Sequence, residues 1–352
     1  MKYYIIPIFI PHLGCLHQCI FCNQRKITGR QTPVTGKQVA AIIKERLVTI
    51  NQDRRIEVAF YGGSFTALPE AIQNELLEPA SQALKHGQIH AIRLSTRPDC
   101  INEQIVANLR RQGVSIVELG VQSLDDNVLA GAARGHNSQA VVDAVKLLKN
   151  ADITCGLQLM PGLPGEDWPS LIKTVRHAIR LSPDFTRIYP AIVIADTVLA
   201  EMYSKGIYRP LTLEQAVVRS AYSKLLFERQ SIQVVRTGLQ ASEELDNRVT
   251  VLAGPYHPAF GELVDSHIFY LMLAGFIEQN VTTTESDLII HLHPQDSSKV
   301  RGQHNRCITR LEQRYNLKTI KLCENIAVKK GTLLLDYQGL SYGFNKNMIN
   351  CI

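Results

Sequence analysis

Residues 14–24 read Gly14-Cys15-Leu16-His17-Gln18-Cys19-Ile20-Phe21-Cys22-Asn23-Gln24, with three cysteines at C-x3-C-x2-C directly after the apolar run 4–10. Thiolates are the usual protein ligands of iron–sulfur clusters, and this spacing lets one loop wrap several irons of one cluster. No further cysteine follows until Cys100. Three ligands leave one iron of a [4Fe–4S] cluster open, and an open metal position binds a substrate or cofactor. Two plainer readings stand beside this one, a zinc knuckle and three unrelated core thiols. Zinc normally takes four ligands, often as two C-x2-C pairs, and His17 lies inside the loop without a matching partner.

The chain around this loop is ordinary in composition. Its 352 residues are 45% apolar and 20% charged, enough for one large domain and a smaller one. No unbroken apolar run reaches the roughly 18–20 residues that span a bilayer, so no membrane contact is expected. The first residues carry Pro7 and Pro11 and lack a small-residue cleavage site, and they read as a strand rather than a signal peptide. Eight cysteines are sparse in so long a chain, and three of them sit at metal spacing. A reducing, cytoplasmic location is therefore expected, with Cys100, Cys155, Cys307, Cys323 and Cys351 as free thiols. The net charge of +6 permits a polyanionic partner without establishing one.

From residue 4 to about 236, apolar runs (4–10, 56–61, 89–95, 115–121, 154–160 and 185–193) alternate with amphipathic stretches. The helical patterns lie near 36–50, 70–86, 101–112, 138–150, 167–181 and 212–230. Such alternation implies βαβ units and a parallel sheet, with chemistry at the C-terminal ends of the strands. The strand ends carry the informative residues. The second ends in Phe60-Tyr61-Gly62-Gly63-Ser64-Phe65, where paired glycines allow close backbone approach or simply a turn. The third ends in Leu94-Ser95-Thr96-Arg97-Pro98-Asp99, either polar groups for a ligand or a capped helix start. The fourth carries Val117-Glu118-Leu119-Gly120-Val121-Gln122-Ser123, then Arg134-Gly135-His136. The fifth ends Gln158-Leu159-Met160-Pro161-Gly162, and the sixth contains Arg187-Ile188-Tyr189-Pro190.

Taken in order, these segments resemble the radical S-adenosylmethionine (SAM) superfamily, and within it the Elongator catalytic subunit more closely than its other groups. The resemblance covers about residues 4–240. It implies an α/β fold, a partial (β/α)6 TIM-type barrel over residues 1–238, with a smaller C-terminal α+β region over 239–352. It implies that Cys15, Cys19 and Cys22 hold a [4Fe–4S] cluster whose open iron chelates SAM, and that SAM is cleaved reductively to a 5′-deoxyadenosyl radical. Phe21, Gly62, Gly63, Ser64, Ser95, Gln122, Arg134 and Gln158 fall at the family's cofactor positions. By the same resemblance Gln122 contacts the ribose or methionine part, Gln158 the ribose, and Arg134 the SAM carboxylate, a pairing suited to the guanidinium fork. Ser64 stands where many members have an acidic residue. No catalytic side chain is singled out. The resemblance further implies a one-electron donor such as flavodoxin or ferredoxin, and RNA, above all tRNA, as substrate.

Two other functions stay in view. One is a porphyrin-type or other small-molecule substrate, as in the coproporphyrinogen oxidase group, which carries a further cysteine where Asn23-Gln24 stand here. The other is a non-catalytic RNA-binding or haem-carrying relative, against which the intact cysteines speak. After about Gly238 the Elongator pattern stops, without an acetyltransferase-like glycine loop or a second cysteine set. There an apolar helix is expected near 259–279, strands near 287–293 and 319–322, and a helix over 299–315. Residues 302–311 loosely follow the spacing G-x-x-G-x-x-I-x-x-L of KH modules, with Asn305 for the second glycine. Lys299, Arg301, Arg306, Arg310, Arg314, Lys318 and Lys321 form either an RNA contact or a solvated helix face. His291 and His293 alternate on a strand, without a third ligand nearby.

Overall fold

The computed structural model describes residues 3–10, 15, 19–23, 34–50, 53–241, 243–246, 249–281 and 287–349. His17, Gln24 and Cys351 lie outside the described residues. Strands β1 (Tyr3–Phe9), β2 (Arg55–Tyr61), β3 (Ala91–Thr96), β4 (Val114–Gln122), β5 (Thr154–Leu159) and β6 (Phe185–Ile188) follow the apolar runs. After the short β7 (Val193–Ile194) comes β8 (Gln233–Thr237). β1 to β6 and then β8 make one parallel sheet of seven strands in that order. Residues from both outermost strands line the same cavity, so the sheet curls into part of a barrel. The six expected units are thus joined by a seventh strand. β8 escapes a reading based on apolar runs because only Val234 in it is buried.

Six helices, Gly36–Thr49, Glu70–Lys85, Glu103–Arg111, Ser138–Asn150, Trp168–Arg180 and Leu213–Arg229, lie where the amphipathic pattern places them. Thr35, Asn102, Asn137, Asp167 and Thr212 each accept a backbone N–H of the first turn, a donor that would otherwise lack a helical partner. Val39, Ile43, Leu76, Leu77, Val141 and Val175 from these helices share one core with Ile6, Val58, Leu94 and Val117 of the strands. The helices cover the outside of the sheet, and its inner face is left for a polar cavity.

One inward position is tightly constrained. A Cβ on Gly156 of β5 would lie 2.3 Å from ring carbons of Phe185, which is buried with Ala91 and Ile116. The Arg93 guanidinium covers the same ring, 5.2 Å from its centroid. Gly156→Ala is expected to destabilise the fold by about 1–3 kcal/mol, as overpacking does. Chemical denaturation checks this; an unchanged midpoint would contradict the contact.

β7 pairs antiparallel with β9 (Val251–Ala253). Beyond it, β10 (Leu288–Leu292), β11 (Ile320–Glu324), β12 (Thr332–Tyr337) and β13 (Leu340–Asn345) form a mixed sheet of order β11-β10-β12-β13. The helix Phe260–Asn280 is long and apolar enough to cross a membrane by length and composition. Glu262, Asp265 and Glu278 interrupt its apolar run, which is why a count of unbroken runs passes over it. Its Val264, Met272, Leu273 and Phe276 share a core with Ile290 and Leu335 of the mixed sheet and with Ala216, Ala221 and Leu225 of Leu213–Arg229.

The single helix expected over 299–315 is two. Ser297–Arg301 ends at Gly302 (φ 68°), and Arg306–Tyr315 begins after His304 and Asn305, both left-handed (φ 52° and 63°). The sequence there is compatible with a helix, so its polarity pattern does not reveal the break. The two histidines have separate roles: His291 pairs with Asp336 at 2.8 Å, while His293 Nδ1 accepts the Gln295 N–H at 3.1 Å.

Candidate cofactor site in the part-barrel

The inner face of the sheet opens on a cavity of about 1330 Å³, larger than the roughly 300–1,000 Å³ of a typical small-molecule site. Cys15, Cys19, Cys22, Phe21, Gly62, Gly63, Ser64, Ser95, Gln122, Arg134 and Gln158 all line it. Segments as distant in the chain as Cys15 and Gln158 are thereby brought to one cavity, as the strand-end rule leads one to expect.

The cysteine loop is pinned from two sides. Ile20 donates its N–H to the Ala132 carbonyl at 3.3 Å, and its own carbonyl accepts from Leu199 at 2.8 Å. Cys19, Ile20 and Phe21 pack with Val128, Ala132, Leu163, Val193 and Leu199. Phe21 therefore anchors the loop as well as facing the cavity. Cys19 is buried, Cys22 partly so and Cys15 exposed; the Cys15 sulfur lies 3.6 Å from the Ser64 hydroxyl.

Gln122 ends β4 at an irregularity in the pairing with β5, with φ 68°. Its carbonyl accepts the Met160 N–H at 2.8 Å and its side-chain oxygen accepts from Gln158 at 3.2 Å, so the two amides are placed together. Arg134 donates from Nη1 to the Cys19 sulfur at 3.0 Å, from Nη2 to the Gly120 carbonyl, and from Nε to His136 Nε2 at 3.3 Å. Burial, and then the Arg134 charge, push the His136 pKa down to about 4, so the imidazole is a neutral acceptor. Arg97 forks Asp99 at 3.0 and 2.8 Å and donates to the Arg134 carbonyl. Ser95 lines the cavity on the same strand end. After the strand end the chain makes a short 3-10 turn at Pro98–Cys100 that no side chain caps, so the expected capped helix start is not formed there, while Ser95, Thr96 and Arg97 line the cavity.

The same cavity holds a cluster that reading the strand ends missed. Arg93 binds Glu57 at 2.7 Å and Glu118 at 2.7 Å, and Arg187 meets Glu118 at 2.8 and 3.0 Å and the Tyr189 hydroxyl at 2.8 Å. The 2.8 Å contact from Arg187 Nε is an ion pair without hydrogen-bond alignment. Burial and the Glu118 charge raise the Tyr61 pKa beyond its usual range. A signal was present in the sequence: β2, β3, β4 and β6 each hold a charge amid apolar residues, and buried charges require partners.

The three cysteines suit a cubane cluster. Each thiolate of such a cluster binds a different iron, and Cys15, Cys19 and Cys22 all line the cavity. One zinc ion would need its ligands to converge, and no group of three His, Cys, Asp or Glu does so among the described residues. The polar wall next to them holds two glutamines, two serines and an arginine with N–H donors unused among the described residues. Such a wall fits a zwitterionic nucleoside such as SAM.

The family model described as the radical SAM superfamily matches residues 9–178, and that of the radical SAM C-terminal domain matches 183–269. An uncharacterized protein of Methanocaldococcus jannaschii is 32% identical over 233 residues, covering 61% of this chain and 69% of that protein. A tRNA uridine(34) acetyltransferase of the same organism is 27% identical over 267 residues, 64% of this chain and 49% of the enzyme. The chain thus spans about half the length of that acetyltransferase. Among solved structures, archaeal Methanocaldococcus infernus Elp3 with an N-terminal deletion superposes with a TM-score of 0.60 at 19% identity, over 98% of this chain and 78% of that one, a likeness of fold. The part-barrel, the cysteine loop and these matches together make the chain a member of the radical SAM superfamily, whose enzymes use a [4Fe–4S] cluster and SAM.

Proposed function

We propose that this chain modifies RNA, with tRNA as the substrate. The observation that carries the radical chemistry is that all three cysteines and the eight other positions line one cavity. Relatives named as tRNA uridine(34) acetyltransferases support the substrate class. When bound, the cluster supplies the electron that cleaves SAM to the 5′-deoxyadenosyl radical. The protein's part is to hold and orient. Cys15, Cys19 and Cys22 ligate the cluster, and Phe21 fixes their loop. The backbone at Gly62 and Gly63, with Ser64 and Ser95, receives the amino and other polar groups of SAM. Gln122 and Gln158 receive the ribose. Three of the five N–H groups of Arg134 are used among the described residues, and the other two serve the carboxylate. A low-potential donor of the flavodoxin or ferredoxin kind provides the electron, in the cytoplasm. Anaerobic incubation with deuterated total tRNA tests the substrate: deuterium in 5′-deoxyadenosine is expected, and its absence alongside tRNA-stimulated SAM cleavage would exclude tRNA as the hydrogen donor.

The basic residues of the C-terminal region supply a second test. Lys299 pairs with Asp265, Arg314 with Glu278 and Lys321 with Asp287, which leaves those charges committed. Arg301 and Arg306 are exposed on either side of the turn 302–305, and the exposed Arg310 lies over the Tyr270 ring at 4.8 Å. If these three arginines hold phosphates, tRNA affinity falls steeply with salt through counterion release, with about 0.7–0.9 log units of slope per phosphate. Replacing all three by Gln is expected to weaken tRNA binding and flatten that slope while leaving tRNA-independent SAM cleavage unchanged. Equal affinity and slope in the triple variant would make the segment a solvated face.

A further inference from the structure

Arg134 does more than face the cavity. Its guanidinium is fixed at three points, by the Cys19 sulfur, the Gly120 carbonyl and His136. Its backbone carbonyl is held by Arg97, which is itself locked in the carboxylate fork of Asp99. A side chain so restrained keeps its Nη1 donor aimed at one sulfur, that of the most buried of the three cysteines. Arg97 Nη1, 4.0 Å from the same sulfur, places a second positive charge beside it.

We propose that Arg134 sets the reduction potential of the cluster through its N–H···S hydrogen bond to Cys19. Hydrogen bonds to cluster sulfurs are one of the levers by which proteins tune such potentials. One-electron reduction by a low-potential donor increases the negative charge on the cluster and its thiolates. A donor and a positive charge at the sulfur stabilise that form more than the oxidised one, and the potential rises. No protein bond forms or breaks in the step. His136 is a positioning residue in this scheme. Its Nδ1 lies 3.2 Å from the Asn137 carbonyl, which makes Nδ1 the protonated nitrogen and leaves Nε2 to accept from Arg134 Nε. The guanidinium is thereby turned so that Nη1 meets the sulfur. The inference rests on Cys19 being a cluster ligand.

The test is a reductive titration of the reconstituted full chain without SAM, followed by the EPR signal of the reduced cluster. Leaving SAM out removes any contribution from carboxylate binding. Arg134→Gln is expected at a more negative potential than wild type, and Arg134→Lys between the two. The Fe–S(Cys) stretching bands should move to higher frequency when the sulfur loses its hydrogen bond. His136→Ala should shift the potential in the same direction, and His136→Gln, which keeps an acceptor, should restore it. Where Arg134→Gln does not take up iron, Arg134→Lys and the His136 pair decide. Wild-type potentials in iron-loaded Arg134→Lys and His136→Ala would overturn the proposal. A full iron count and unchanged spectrum in Cys19→Ala would instead overturn the ligand assignment beneath it.

Discussion

Replacing Cys15, Cys19 or Cys22 singly by Ala is expected to abolish SAM cleavage, with iron falling from about four per chain to well below that. The cubane needs three protein thiolates to stay bound while its fourth iron is open, and among the described residues no other cysteine lines the cavity. Burial, then the Asp99 charge, pushes the Cys100 thiol up to about 11, so it remains protonated, and it does not line the cavity. Cys155 is buried and raised to about 12, and Cys323 lies on β11. Cys100→Ala and Cys323→Ala should therefore keep wild-type iron and cleavage. Iron assay and 5′-deoxyadenosine yield measure both sides. Wild-type cleavage in any of the first three variants would remove that cysteine from the site.

The largest effect on stability is expected at Glu118. It is 5% exposed and stands between two arginines whose side chains are 12% and 13% exposed. Glu118→Ala leaves Arg187 without a carboxylate partner and Arg93 with only Glu57. Breaking a buried pair from one side typically costs about 3–5 kcal/mol, because the remaining charge is neither paired nor hydrated. The measurement is the denaturant midpoint at constant slope. A loss below about 1 kcal/mol would mean that water entering the cavity already screens the cluster. The same network explains how these four charges share an inner barrel face: they alternate in sign from Glu57 through Arg93 and Glu118 to Arg187.

Much of this was readable from local pattern. Strands buried against helices become apolar runs, and helices with one buried face become amphipathic stretches, so β1 to β6 and six helices stand where periodicity puts them. The three cysteines of the loop lie within the short stretch from Cys15 to Cys22, so their spacing is legible without tertiary information. What escaped depends on geometry that no window of sequence contains. Glu118 meets partners on β3 and β6, 25 and 69 residues away. Gln122 reaches Gln158 because the strand ends on a left-handed residue, which a glutamine does not advertise. His136 becomes a neutral acceptor only once burial and Arg134 surround it. The turn at 302–305 likewise rests on two left-handed non-glycine residues within a polar segment.

The most direct measurement is SAM cleavage by the anaerobically reconstituted wild-type chain under a strong one-electron reductant. About four irons bound per chain are expected, with reductant-dependent formation of 5′-deoxyadenosine and methionine. Stoichiometric zinc with no iron uptake, or a fully loaded four-iron protein that leaves SAM intact, would contradict a radical SAM site built on Cys15, Cys19 and Cys22.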